Sequence, residues 1–188
     1  MRIVLLLSGG FDSAVAGALL KEAGHELVSL YCSQKPFAGA EAEKRARAAA
    51  ERLGLGEVRV VEVGEELKAL SAAAPKLYFV LMKRLFLRAA ERVARACGAG
   101  AIATGENLGQ VSSQTLQNLA VIDRATALPV LRPLLGWDKR EIIDRVKELG
   151  VFSVLAGPEA CDVLGPERPS THAKLADVEA AELRAAGG

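Results

Sequence analysis

The residues with the clearest chemical potential form the segment Ser8-Gly9-Gly10-Phe11-Asp12-Ser13, near the beginning of the sequence. An apolar run, residues 3–7, precedes it, and a helical pattern of small residues, 14–20, follows it. This order predicts a buried parallel strand, a tight turn and a helix. The first N–H groups of a helix have no partner within the helix, and the helix dipole is positive at that end. We therefore interpret the turn as a site for an anion such as phosphate.

The side chains of this turn indicate which anion it binds. Gly9 and Gly10 allow the backbone to approach a phosphate closely, and Ser8 and Ser13 add hydroxyl donors. Asp12 stands out because its carboxylate would repel a phosphate unless a cation lay between them. The turn is thus predicted to bind a pyrophosphate group together with Mg²⁺. The alternative is an ordinary helix that Asp12 or Ser13 caps after a glycine turn.

Strand and helix patterns alternate along the rest of the chain. Strands that alternate with helices at this spacing predict right-handed βαβ crossovers. We therefore expect an α/β fold with a doubly wound, five-stranded parallel sheet, in one domain of residues 1–175 followed by a C-terminal helix or tail, 176–188. The predicted strands are 3–7, 26–32, 58–63, 101–104 and 129–131. Helices are predicted at 14–20, 40–53, 65–70, 76–97, 140–149 and 176–186, and a further helix follows residues 112–115 and ends at about 122.

A second polar turn, residues 105–110, follows the predicted strand 101–104 and leads through 112–115 into the next helix. Both polar turns would then lie at the carboxyl ends of strands, where open α/β sheets bind their ligands. Between 150 and 174 the periodicity is lost, and a loop of this length inside a domain is usually functional or mobile.

Composition excludes several classes of protein. The net charge of +1 gives no global positive field, so any nucleic-acid binding would use a local patch. No run approaches the ~18 apolar residues of a membrane span, and the first apolar run is too short for a signal peptide. Cys32, Cys97 and Cys161 are widely spaced without a C-x-x-C pair, which argues against a disulfide framework and a zinc site. We expect a cytoplasmic protein without a membrane partner.

Two motifs resemble those of a known family. The turn at 8–13 resembles the SGGxDS motif of the PP-loop ATP-pyrophosphatases, which adenylate a carbonyl oxygen and release pyrophosphate. The segment 105–116 resembles the signature of the tRNA 4-thiouridine synthetases, the tRNA sulfurtransferases, and further matches follow at 131–134, 138–139 and 158–161. The resemblance implies a PP-loop domain of the adenine nucleotide alpha hydrolase-like fold. The family's THUMP and rhodanese domains are expected to be absent from this chain.

The resemblance also implies roles for individual residues. Asp12 and Lys139 match residues needed for adenylation, and Cys161 matches the cysteine that handles sulfur. The implied chemistry is adenylation of a tRNA uridine by ATP, followed by replacement of its 4-oxygen with persulfide sulfur. No metal ligand is assigned among the side chains. The residues at expected ATP-binding positions are Leu6, Leu7, Ser8, Gly9, Gly10, Ser13, Tyr31, Cys32, Lys83, Gly105 and Gln114.

The implied partners are tRNA, bound directly or through a separate RNA-binding protein, and a cysteine desulfurase or rhodanese as the persulfide donor. Two other functions remain open: a PP-loop ligase that activates a different carbonyl, as in sulfur supply for thiamine thiazole, or a nucleotide-binding subunit that needs an RNA-binding partner. The oligomeric state is not predicted.

Three further interpretations remain open. The first concerns Arg84, Arg88, Arg92 and Arg95, which recur at helical spacing and form either a solvated face or a surface for RNA phosphates. Glu106 either helps Asp12 to hold Mg²⁺ or makes a structural hydrogen bond to a neighbouring loop. An iron–sulfur site formed by the three cysteines is an alternative to their separate roles. Tyr78 is among the few aromatic candidates for stacking on RNA bases.

Overall fold

A parallel sheet of five strands forms the centre of the computed structural model, which describes residues 1–109, 114–157 and 164–187. The strands are β1 (Arg2–Leu6), β2 (Glu26–Ser33), β3 (Val58–Glu62), β4 (Ala101–Ala103) and β5 (Val130–Leu131). The described helices are α1 (Phe11–Glu22), α2 (Glu41–Leu53), α3 (Gly64–Ala73), α4 (Tyr78–Cys97), α5 (Leu116–Asp123), α6 (Lys139–Glu148), α7 (Phe152–Leu155) and α8 (Leu175–Ala186), and a 3-10 turn, Pro75–Leu77, precedes α4.

The strand order, β3-β2-β1-β4-β5, places the first strand in the middle of the sheet. Successive strands first lie on one side of β1 and then, from β4 onward, on the other side. The direction of winding therefore reverses between β1 and β4, and a crevice opens at their carboxyl ends. This crevice is the topological switch point of the sheet.

Alternate residues of β1 contact opposite layers of helices. Ile3 and Leu5 pack in a cluster with residues of α1 and α2, whereas Val4 packs with residues of α3, α4, α5 and α8. All three side chains are fully buried, as expected of a parallel strand covered on both faces. A third cluster joins α1 to α6 and α7.

The sequence-based prediction of a doubly wound, five-stranded parallel sheet is confirmed, and each strand end differs from the prediction by at most one residue. One omission lies in the segment without periodicity, where α7 forms between 150 and 157. Because α7 has only four residues, no helical period can be detected there. The division of the chain at residue 175 stays a prediction. None of the described helices has both the length and the hydropathy that crossing a bilayer requires.

The proposed arginine stripe on α4 is wrong as a continuous surface. Arg84 is only 3% exposed, and its guanidinium donates two hydrogen bonds to the Glu182 carboxylate of α8, at 2.7 and 3.0 Å. Arg88 contacts the same carboxylate. Tyr78 is fully buried and so is not a surface for base stacking.

Candidate active site

The turn after β1 has a shape that depends on its contact with α2. Gly9 has φ of +80°, a conformation that side chains disfavour, and an added Cβ would clash with the carbonyl oxygen of Ala42. The buried alanines of α2, Ala42 and Ala46, provide the small surface that allows this approach. Gly9 is therefore required by its backbone conformation and by packing.

Hydrogen bonds within the turn fix the backbone that leads into α1. The Ser8 N–H donates to Ser13 Oγ at 3.0 Å, and the Gly10 N–H donates to Ser8 Oγ at 3.2 Å. Ser13 is 3% exposed, whereas Ser8 is exposed. Ser13 thus holds the turn from beneath, and Ser8 presents its hydroxyl group at the surface of the turn.

The second polar turn supports the first. An added Cβ at Gly105, just after β4, would lie 2.5 Å from the Asp12 carbonyl carbon and from the Ser13 nitrogen. The backbone after β4 therefore packs directly on the first turn of α1. This contact brings the two polar turns together at the switch point.

A cavity of about 490 Å³ opens above the carboxyl ends of β1 and β2. Its volume is in the range typical of sites for small molecules. Its walls come from the end of β1 and the turn after it, the start of α1, the end of β2, and residues of α2, α4, α6 and the α7 region. The lining residues are Leu6, Leu7, Ser8, Gly9, Gly10, Phe11, Asp12, Leu30, Tyr31, Cys32, Gln34, Arg45, Phe86, Lys139, Ile142, Ile143, Leu155, Ala156 and Gly157.

Nine of the fourteen residues predicted for the site line this cavity. They are Leu6, Leu7, Ser8, Gly9, Gly10, Asp12, Tyr31, Cys32 and Lys139. Ser13 and Gly105 instead support the turn from outside the cavity. Gln114 is buried, and its carbonyl oxygen accepts a hydrogen bond from Gly109 at 3.1 Å. Cys161 lies outside the described residues, as do residues 110–113 of the second motif.

Lys139 is placed by the start of α6, where it is the first helical residue. Asp138 precedes it as the N-cap. The Asp138 carboxylate accepts from the Glu141 N–H at 2.9 Å, and the Glu141 carboxylate accepts from the Asp138 N–H at 2.7 Å. This capping box fixes the first turn of α6 and with it the backbone that carries the Lys139 ammonium group.

Lys83 and Glu106 form a charge network that does not include the cavity lining. Lys83 Nζ lies 2.7 Å from one oxygen of the Glu106 carboxylate, and Arg132 Nε lies 2.9 Å from the other. Arg132 also makes two hydrogen bonds to Asp123. Burial alone would raise the pKa of the Glu106 carboxyl, but the two neighbouring cations lower it below its ordinary value. The structural alternative for Glu106, a bond to a neighbouring loop, is confirmed.

Arg45 lines the cavity but is absent from the site residues that the sequence predicts. Its Nε donates to the Gly9 carbonyl oxygen at 3.1 Å, and its guanidinium also lies against Gly157. It thus brings a positive charge to the cavity wall beside the turn. The sequence signal that could have indicated this position was the face of small residues on α2. Such a face allows a helix to approach a turn closely, and the side chains beside that face then lie near the turn.

The described cysteines are not reactive thiols of the cavity. Cys32 is buried at the end of β2, and burial raises the pKa of its thiol to about 12, so the thiolate is scarce at neutral pH. Cys97 is half-buried, and its thiol donates to the Ala94 carbonyl oxygen. Within the described ranges, no group of His, Cys, Asp and Glu side chains is arranged to hold a metal ion.

A glycine-rich turn at the switch point of a doubly wound parallel sheet is typical of nucleotide-binding proteins of the α/β class. The model of the family described as "Thiamine biosynthesis protein (ThiI)" matches residues 1–185. The chain therefore belongs to this family.

The chain is similar to several proteins named "Probable tRNA sulfurtransferase". It is 41% identical to that of Thermus thermophilus over 190 residues, which cover 97% of this chain and 47% of the relative. It is 40% identical to that of Nocardia farcinica, covering 98% of this chain and 47% of the relative. The chain thus spans about half the length of these curated relatives.

Solved structures share the fold. A crystal structure of a 4-thiouridine synthetase–RNA complex with bound ATP has a TM-score of 0.90 and 33% identity, over 98% of this chain and 50% of that chain. The NMN synthetase of Francisella tularensis has a TM-score of 0.63 at 17% identity, covering 89% of this chain and 69% of its own, a likeness of fold alone.

Proposed function

We propose that this chain is the catalytic domain of an ATP-dependent tRNA sulfurtransferase, which adenylates a tRNA uridine and replaces its 4-oxygen with sulfur. The proposal depends above all on one observation: the glycine-rich turn, Asp12 and Lys139 line the same cavity at the switch point. The relatives named tRNA sulfurtransferase, and the related structure that holds ATP and RNA, support the same assignment.

The cavity favours one orientation of ATP. The N–H groups at the start of α1 and the Ser8 hydroxyl suit the phosphates, and the cations of Arg45 and Lys139 offset their charge. The nucleoside then extends toward the end of β2, beside Tyr31 and Cys32. Lys83, Gly105 and Gln114 act in this proposal through packing and charge around the turn.

Mg²⁺ fits this arrangement through Asp12. Mg²⁺ in ATP sites is commonly held by one or two carboxylates together with phosphate oxygens. Asp12 lines the cavity, whereas Glu106 lies outside its lining and pairs with Lys83 and Arg132. When bound, the ion would neutralise charge on the phosphates and so remove the repulsion between them and Asp12.

The first chemical step is an attack on the α-phosphorus. The 4-carbonyl oxygen of uridine forms a bond to that phosphorus, the bond to the bridging oxygen breaks, and pyrophosphate leaves with the electron pair. The N3 proton of the base is lost to solvent in the same step. Lys139 stabilises the negative charge that develops around the phosphorus, because a fixed cation in a partly enclosed site favours such a transition state. The N–H groups of the turn retain the departing pyrophosphate.

The second step transfers sulfur to the activated base. A persulfide sulfur bonds to C4 of the base, and AMP leaves with the former carbonyl oxygen. If Cys161 carries the persulfide, a thiolate of the persulfide donor attacks Cys161 Sγ, forms a disulfide with it and releases 4-thiouridine. If the donor carries the persulfide, the Cys161 thiolate attacks the inner sulfur of the donor and forms the same disulfide. An external thiol then reduces this disulfide. Gly157 lines the cavity, and Cys161 follows it by four residues in the sequence. Four residues of extended chain span at most ~14 Å, so Cys161 lies within that distance of the cavity wall. A cysteine desulfurase or a rhodanese supplies the persulfide.

One observation favours a second function. The description of the matching family names thiamine biosynthesis. The same adenylation step with a different sulfur acceptor would serve sulfur supply to the thiamine thiazole.

The test is pyrophosphate release and 4-thiouridine formation with ATP, tRNA and a persulfide donor, with and without an added RNA-binding protein. Lys139→Ala should lower the rate of pyrophosphate release by about 100-fold or more. Lys147→Ala is the matched control, since this exposed lysine lies in the last turn of the same helix. Cys161→Ser should leave pyrophosphate release intact and abolish 4-thiouridine, measured by mass spectrometry of digested tRNA.

Three outcomes would contradict the proposal. Unchanged pyrophosphate release in Lys139→Ala would remove this residue from the chemistry. Normal thiolation by Cys161→Ser would exclude the sulfur role of that cysteine. Absence of 4-thiouridine in every reaction, while the wild-type chain releases pyrophosphate with another carbonyl compound, would favour the thiamine alternative.

A further inference from the structure

Gln34 carries a buried hydrogen-bond acceptor that has no partner among the described residues. The residue follows β2 directly, lines the cavity and is only 6% exposed. Its side-chain oxygen, Oε1, makes no hydrogen bond to any residue that the structure describes. The backbone at this position is well satisfied, because the Gln34 carbonyl oxygen accepts from the N–H groups of Phe37 and Ala38 at 3.0 and 3.2 Å.

A buried amide oxygen without a partner is unusual in a folded protein. The great majority of buried polar atoms are hydrogen-bonded, and a buried group left without a bond destabilises the fold. An exception that lines a cavity is naturally explained by a ligand that supplies the missing donor. The ligand group that meets Gln34 Oε1 must therefore carry an N–H or O–H.

The chemistry of ATP limits which of its groups can meet this acceptor. Ionised phosphates carry no donors, and their place is at the turn after β1, where N–H groups and cations are collected. Gln34 lies on the neighbouring strand end, beyond Tyr31 and Cys32, and Leu30 and Phe86 add apolar surface to the cavity lining. The apolar surface suits the face of a nucleotide base, and the single polar atom suits a polar group on the edge of that base.

We propose that Gln34 Oε1 accepts a hydrogen bond from the 6-amino group of adenine, so that Gln34 determines the specificity of the cavity for adenine nucleotides. This inference rests on the proposed function to the extent that ATP is the nucleotide. A nucleotide with the same phosphates but no 6-amino group leaves the acceptor without a partner and binds more weakly. A nucleotide with a 6-oxo group places its own acceptor oxygen against Gln34 Oε1, so two hydrogen-bond acceptors face each other.

The experiment compares the Kd of three nucleotides: ATP, the triphosphate of purine riboside, which lacks the 6-amino group, and 2′-deoxyATP. We expect the wild-type chain to bind ATP about tenfold more tightly than the purine riboside triphosphate. Gln34→Met, which has a similar length but no amide, should bind the two alike. Gln117→Met is the matched control, because Gln117 is half-buried outside the cavity and donates to the Ala173 carbonyl oxygen.

A second variant keeps the proposal testable if Gln34→Met does not fold. Gln34→Glu presents only acceptors at the same length, so it should retain the preference for ATP and bind inosine triphosphate at least tenfold more weakly than ATP. Equal binding of those two by Gln34→Glu would overturn the proposal.

The remaining outcomes separate the two proposals. If the wild type binds ATP and Gln34→Met keeps the tenfold preference, the role of Gln34 is wrong while the proposed function stands. If the Gln34→Met variant instead loses only the distinction between ATP and 2′-deoxyATP, the acceptor meets the ribose and the adenine contact is wrong. If the wild type binds none of the nucleotides, both proposals fail.

Discussion

Replacement of Gly105 by alanine tests whether the second polar turn holds the first in place. The added methyl carbon would lie 2.5 Å from the Asp12 carbonyl carbon and the Ser13 nitrogen, and 2.8 Å from the Asp12 carbonyl oxygen. All three are backbone atoms, so no side chain can rotate away. The start of α1 and the end of β4 would have to separate by about 0.9 Å to reach an ordinary contact of 3.4 Å.

The size of the effect follows from what moves. Overpacking of a well-packed interior costs about 1–3 kcal/mol of unfolding free energy. The same movement displaces the N–H groups at the start of α1 from the phosphates. Loss of one hydrogen bond to a charged group costs about 1.5–3 kcal/mol, which is roughly a 10- to 150-fold rise in the Kd for ATP.

The assay pairs urea unfolding with calorimetric measurement of ATP binding. Gly100→Ala is the matched control, because Gly100 precedes the same strand at its other end. Among the described atoms, an added Cβ there would meet only Met1 Cε, at 3.5 Å. Gly105→Ala should lose both stability and affinity, whereas Gly100→Ala should lose neither. If both variants bind ATP alike, the close approach does not position the turn. A loss of affinity without a loss of stability would indicate that Gly105 contacts the nucleotide directly.

Two further predictions concern buried charges. Glu182→Ala should lower the free energy of unfolding by about 3–5 kcal/mol, because Arg84 would stay buried without its carboxylate partner, and adding Arg84→Met should recover much of the loss in urea unfolding. The pKa of Glu106 is lowered in the folded protein, so its contribution to stability is present above the unfolded pKa of about 4.3 and is lost as the pH falls through the folded pKa. Unfolding free energies measured across this acidic range should therefore fall less steeply in Glu106→Gln than in the wild type, and equal slopes would contradict the role of the Lys83–Glu106 pair.

Local patterns were sufficient to predict the elements that carry the turn. The apolar run that contains Ile3 and Leu5 is a strand covered on both faces, and a strand of this kind lies inside a parallel sheet whatever its neighbours are. The N-cap at Asp138 depends on its own side chain and on Glu141, three residues later, so it is also visible in the sequence.

Contacts between distant segments explain what the sequence did not predict. Arg84 has the spacing of a solvated stripe, but its burial depends on Glu182, which lies ninety-eight residues later on a different helix. The spacing of Arg45 is likewise compatible with a solvated position, and only the packing of α2 on Gly9 brings its guanidinium to the cavity. The environment of a charged side chain is decided by the element that packs on it, and helical periodicity does not contain that information.

The glycines of the two turns separate the effects of packing from those of a ligand. Gly9 and Gly105 are required by the protein itself, since an added Cβ at either position would strike backbone atoms of another segment. Gly10 is different: its φ of −99° suits any residue, and the one described atom within 4 Å of an added Cβ is Ser8 Oγ, at 3.4 Å. Packing among the described residues therefore gives no reason for glycine at this position. The remaining physical reason is the space that it leaves at the cavity, where a bound phosphate would approach the backbone more closely than a side chain allows.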